Sequence, residues 1–100
     1  MGLLNLRALD LSYNPIYSID RSAFVGLETR LELFSCAYCH LPDASLYALQ
    51  SLRALNELFI PGNEITSMDD VLAGTRALRV LDVQSNQIAA LSKAPFKYVL

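Results

Sequence analysis

The sequence predicts an α/β solenoid: a horseshoe arc of about four coils, with a parallel sheet on the concave side and loops or short helices on the convex side. Three observations lead there. One apolar template recurs four times at a near-constant period, each copy holds a short stretch of strand periodicity, and the segments between copies vary as outer returns would.

The template is L-x-x-L-x-L-x-x-N/C-x-L. Its first copy is Leu6, Leu9, Leu11, Asn14, Ile16, and its second is Leu31, Phe34, Cys36, Cys39, Leu41. The third is Leu55, Leu58, Ile60, Asn63, Ile65, and the fourth is Leu78, Leu81, Val83, Asn86, Ile88. The ninth positions are separated by 25, 24 and 23 residues. Within each copy the fourth and sixth positions lie two apart and share a face, so each copy contributes one strand. An Asn three residues further on can turn inward and bond backbone groups of the adjacent coil, which builds a ladder of satisfied polar groups. Cys39 stands in that ladder in the second copy, and a Cys is only a weak donor, so its rung should be the weaker one.

The returns follow in order. The first runs Tyr17 to Leu27 and holds Ile19, Ala23, Phe24 and Gly26; Phe24 would plug the gap behind the strand. In the second, Pro42-Asp43 precedes Ala44 to Leu52, and in the third Ser67, Asp69 and Asp70 open a stretch through Leu72, so both predict short helix or 3₁₀ turns. The fourth, Leu91 to Val99, repeats the plan of the first with Phe96 as its plug. These residues resemble the leucine-rich-repeat family over essentially the whole chain. The first return is similar to the I-x-x-x-A-F-x-G-L segment of its extracellular typical subclass. The resemblance implies a right-handed solenoid that binds protein or peptide on its concave face, within a receptor, adhesion or secreted protein.

Composition bounds the rest. One hundred residues suit a single domain, 1–100, with repeats 6–30, 31–54, 55–77 and 78–100. Eight Lys and Arg against ten Asp and Glu give a net charge of −2 without a run of like charge, which argues against nucleic-acid binding. A hydrophobic content of 53% excludes disorder as the default. No apolar run reaches the roughly 18 residues of a membrane span, and no export signal precedes the first copy, so the segment is not expected to insert into a membrane. Gly2-Leu3 and Tyr98-Val99 align with the tail of a return, and neither end reads as a polar cap. The chain is thus expected to be part of a longer array, extracellular or at the cell surface, able to meet flanking repeats or to self-associate through its ends. An intracellular scaffold, or spacer repeats without a ligand, are the alternatives.

Cys36-Ala37-Tyr38-Cys39-His40 matches C-x-x-C-H, a c-type haem signature. Both cysteines already occupy inward template positions on and after a strand, the wrong backbone for a haem helix. A structural zinc site needs four ligands where two Cys and one His exist, and a redox C-x-x-C wants a helix N-terminus. Three extended residues would hold the two Cα atoms roughly 10 Å apart, too far for a bridge, so two buried free thiols are expected. His40 reads as a solvent-facing residue with no Ser or Asp marked to form a triad. Neither a Gly-rich phosphate loop nor a glycosylation sequon occurs. Catalysis and cofactors are therefore not expected.

Recognition residues are sought between the core positions, where the same place in successive coils forms a column on the concave face. Position three gives Ala8, Leu33, Glu57, Val80; position five gives Asp10, Ser35, Phe59, Asp82. Position seven gives Ser12, Ala37, Pro61, Gln84, and position eight Tyr13, Tyr38, Gly62, Ser85. A water-facing sheet has no structural need for such aromatic residues, which are what interface centres use. Tyr13, Tyr38 and Phe59 are the expected anchors. Leu33 and Val80 add apolar area, and Asp10, Glu57 and Asp82 frame the patch with negative charge that favours a basic partner.

Overall fold

A computed structural model describes residues 5–89 and 97–99. Five three-residue strands form one parallel sheet in chain order: β1 Ala8–Asp10, β2 Leu33–Ser35, β3 Glu57–Phe59, β4 Val80–Asp82 and β5 Lys97–Val99. Each strand is short because its template dictates only one outward, inward, outward triplet. The inward residues Phe34, Leu58 and Leu81 have no exposed surface. Leu9 opens the row half-buried, as do Leu6, Leu11 and Ile16 of the same coil.

Register follows the template. Ala8 pairs with Leu33, Leu33 with Glu57 and Glu57 with Val80, while Asp10, Ser35, Phe59 and Asp82 align beside them. Hydrogen bonds continue past the strands: Leu11 N–H donates to Ser35 O at 2.8 Å and Tyr13 N–H to Ala37 O at 2.7 Å. The same pattern joins Cys36 and Tyr38 to the third coil, and Ile60 and Gly62 to the fourth. The fifth strand departs from expectation. Only 17 residues separate Val80 from Lys97 where earlier strands lie 23 to 25 apart, so Tyr98-Val99 belong to a strand rather than to the tail of a return.

The convex side is stapled coil to coil. Phe24 packs edge-on against Phe34 with centroids 5.3 Å apart, filling the space behind β2 as expected. The second return is a 3₁₀ helix, Asp43–Ser51, and the third an α-helix, α1, Asp69–Gly74. Ile19 N–H donates to Ser45 Oγ at 3.1 Å, and Thr66 N–H to Asp43 Oδ1 at 2.7 Å. Gly74 lies against the Gln50 backbone, where a Cβ would sit 2.9 Å from the carbonyl oxygen. Phe96, the expected plug of the fourth return, lies outside the described residues.

The ladder is complete only where Asn supplies it. Oδ1 of Asn63 accepts from the N–H groups of Cys39 and Leu41, while Nδ2 donates to Cys36 O at 2.9 Å and to Ile60 O and Pro61 O. Asn86 repeats this one coil on, accepting from Ile65 N–H and donating to Ile60 O and Val83 O. Cys39 supplies no such acceptor to the first coil, and Ile16 N–H turns back onto Asn14 O of its own coil.

The expectation of two free thiols is corrected. Cys36 and Cys39 are joined as a disulfide, with Cα atoms 5.8 Å apart. The extended spacing does not apply, because β2 ends at Ser35 and the chain turns through Tyr38 in the left-handed region, φ 53°. Both sulfurs are shielded from solvent.

Candidate functional site

Alternation along β1 to β4 turns the third and fifth template positions away from the core, and parallel register lines them into columns. Of the apolar members, Leu33, Phe59 and Val80 are half-buried. Asp10 is exposed, whereas Glu57 and Asp82 are half-buried. Ala37, placed on this face by its template position, is buried instead, and its N–H donates to Ser12 Oγ at 2.8 Å.

The exposed aromatic members lie in the eighth column. Tyr13 is 76% exposed and Tyr38 50%, and their rings stack at 5.6 Å with planes 12° apart. Tyr38 in turn lies over Gly62, so close that a Cβ on Gly62 would overlap the ring. Every member of this column has positive φ: 63° at Tyr13, 53° at Tyr38, 69° at Gly62 and 59° at Ser85. Glycine adopts that conformation without strain, whereas a bulky residue pays on the order of 1 kcal/mol. Stacking returns a similar amount.

A second stack escaped the column reading. Tyr17 and His40 lie 4.7 Å apart with planes inclined by 11°, both again with positive φ, 67° and 62°. They occupy the twelfth and tenth positions of their copies, so no shared template position flagged them. The bond from Tyr17 N–H to Cys39 O at 2.9 Å brings them together. His40 is solvent-facing, as expected.

Charge at the first coil is organised by short hydrogen bonds. Ser12 N–H donates to Asp10 Oδ1 at 2.9 Å, and Ser12 Oγ meets Ser35 Oγ at 2.9 Å. The Ser12 hydroxyl, then the Ser12 N–H, hold the Asp10 carboxyl below the usual carboxylate range, with Ser35 adding to them against slight desolvation. Asp82 is bound by the Gln84 N–H and side-chain amide. Arg7 pairs with Glu32 at 3.3 Å, both well exposed. Among the described residues, no group of three or more His, Cys, Asp or Glu side chains converges as a metal-binding set.

Residues 5–27 match the Leucine Rich Repeat family. Tsukushi of Gallus gallus is 27% identical over 96 residues, which cover 94% of this chain and 26% of Tsukushi. The chain thus spans about a quarter of the length of that curated relative. No solved structure matches the chain significantly. Among the described residues, no helix is long and apolar enough to cross a membrane.

Proposed function

We propose that this chain, which matches the Leucine Rich Repeat family over residues 5–27, is a non-catalytic recognition module of that family that binds a protein or peptide on its concave face. The observation that carries this reading is the exposed Tyr13–Tyr38 stack, on coils whose outward strand columns also hold the apolar residues Leu33, Phe59 and Val80. Rings held in water on strained backbone do little for the core, while aromatic anchors edged by charge suit an interface centre. We further read the module as extracellular or at the cell surface, as part of a longer protein. The paired cysteines support that setting, because disulfides persist in oxidising compartments.

The test is selection of a displayed random-peptide library on the immobilised chain. Selected peptides should lose binding to Tyr38→Ser and Phe59→Ser but keep it on Tyr47→Ser, whose ring lies on the convex side beneath Arg21. Selection of no peptide, or of peptides indifferent to the two concave substitutions, would favour spacer repeats.

A further inference from the structure

We propose that the Cys36–Cys39 disulfide is a redox lock on the concave face: bridged, it holds Tyr38 in the turn that displays its ring to a protein or peptide partner, and reduced, it releases that ring and weakens binding. The regulation rests on the concave-face reading above; the lock itself stands on the geometry of the turn.

The turn after the strand is closed at the same place in each of the four coils, from the ninth template position back toward the sixth. In three coils an asparagine closes it with hydrogen bonds. Asn14 Nδ2 donates to Leu11 O at 3.0 Å and Ser12 O at 3.2 Å, and Asn63 Nδ2 to Ile60 O at 3.0 Å and Pro61 O at 3.1 Å. Asn86 Nδ2 donates to Val83 O at 3.0 Å and Gln84 O at 3.3 Å. In the second coil the sixth and ninth positions are Cys36 and Cys39, and the closure is a covalent bond. Each closure encloses the eighth residue, whose φ is positive in all four coils. Gly62 needs little holding there, whereas the left-handed region disfavours a tyrosine about fivefold or more, so Tyr38 leaves it once the turn is free.

The cysteine pair also gives something up. Asn63 and Asn86 accept backbone N–H groups of the preceding coil as well as closing their own turns, a second role that Cys39 does not fill. What the pair offers instead is a closure that thiol exchange can open. An external dithiol attacks one sulfur; the S–S bond breaks, both cysteines become thiols with the dithiol's two protons, and the reductant leaves as its own disulfide. Both cysteines are buried, and Cys39 Sγ lies 3.3 Å from Leu11 O across the joint to the first coil, so exchange follows opening of that joint. The Cys39 thiol then left is a weak donor, and its own-coil acceptor, Ala37 O at 3.5 Å, already accepts from Tyr13 N–H at 2.7 Å. Release reaches both ring stacks, because Tyr38 lies inside the closure and His40 follows it directly. The bridged form is the one that oxidising compartments favour, the setting read for the module above.

The experiment equilibrates the 100-residue chain with and without dithiothreitol and counts thiols by alkylation and mass spectrometry. Tyrosine ring signals are followed by NMR, and affinity is measured for the library-selected peptides. The reduced chain, with two alkylated thiols, should keep its far-UV circular dichroism, lose the ring-current shifts of Tyr13 and Tyr38, and bind the peptides at least about fivefold more weakly. Cys36→Val with Cys39→Asn, which restores the asparagine closure, should keep the shifts and the parental affinity in either buffer; if the pair fails to fold, Cys39→Asn alone serves. Ring shifts unchanged on reduction, or the same losses in the asparagine-closed variant, would overturn the lock. Collapse of the whole fold on reduction would overturn it too, by making the bridge a general staple. Freed rings with undiminished peptide affinity would sink the control of binding and leave the concave-face reading standing. If no peptide is selected, that reading fails while the ring shifts still decide the lock.

Discussion

Asn63 meets five backbone groups with one side chain, three of them in the preceding coil, and is only 6% exposed. Replacing it by Ala would strand two buried N–H groups and weaken the satisfaction of the Cys36 carbonyl, each orphan costing about 1–3 kcal/mol. Asn63→Ala is therefore expected to lower unfolding free energy by roughly 3 kcal/mol or more. Asn14→Ala, which removes only own-coil bonds to Leu11 O and Ser12 O at an exposed position, should cost less than about 1 kcal/mol. Urea midpoints of the two variants check this, and equal midpoints would contradict it. Asp43 acts differently, tying the second return to the third. Desolvation pushes its carboxyl up, but the Thr66 hydroxyl and N–H, with the Ser67 N–H, outweigh it and hold it below the usual range. A carboxyl with a folded pKa below its unfolded value of about 4 stabilises the fold above that value, and the contribution is lost as pH falls through the folded pKa. Melting temperature should thus fall on acidification below about pH 4, and Asp43→Asn should flatten that fall. Asp20, lowered by the Ser22 hydroxyl and N–H, leaves part of the slope in place. A variant whose melting temperature keeps the full parental acid slope would show that the Thr66 contacts carry none of it.

At the scale of elements, the turn after each strand decides what the concave edge displays. Gly62 permits Tyr38 to lie flat over the third coil, and any side chain there would meet the ring while also straining the backbone at φ 69°. Gly62→Ala should tilt Tyr38 out of its stack with Tyr13 and destabilise the chain by about 1–2 kcal/mol. Loss of the upfield ring-current shifts of the two tyrosines, with the fold kept, is the expected signature; unchanged shifts would mean that the ring does not depend on the glycine. The strands themselves were legible because inward residues two apart admit only one pairing face, and the columns through Asp10 and Leu33 follow from register alone. The helical returns were legible in place but not in bounds: the 3₁₀ helix starts at Asp43 rather than after it, and α1 runs Asp69–Gly74 rather than ending at Leu72. Three features were not. The Cys36–Cys39 bond depends on Tyr38 turning left-handed, which no spacing rule encodes, and the Tyr17–His40 stack joins unlike template positions. Burial of Ala37 is the third, at a template position that alternation places on the outward face.

At the scale of the whole molecule, each coil touches only its neighbours among the described strands and helices, so stability is set joint by joint. The joints are unequal. Asn63 ties the second coil to the third with three bonds between coils, and Asn86 ties the third to the fourth with bonds to Ile65 and Ile60. Cys39 gives the first coil no matching acceptor. Local opening should therefore begin at the first joint. Three amide pairs report on the three joints: Leu11 and Tyr13, Cys36 and Tyr38, Ile60 and Gly62. In native-state hydrogen exchange the first pair should open at least roughly tenfold more often than the second, equivalent to about 1.4 kcal/mol. The ranking carries a functional consequence, because Asp10 and Tyr13 belong to the coil with the weakest joint. A ligand held there would close that joint, slowing exchange at Leu11 and Tyr13 while leaving Ile60 and Gly62 unchanged. Uniform protection across the three pairs would show instead that the disulfide-bearing turn replaces the missing rung in full.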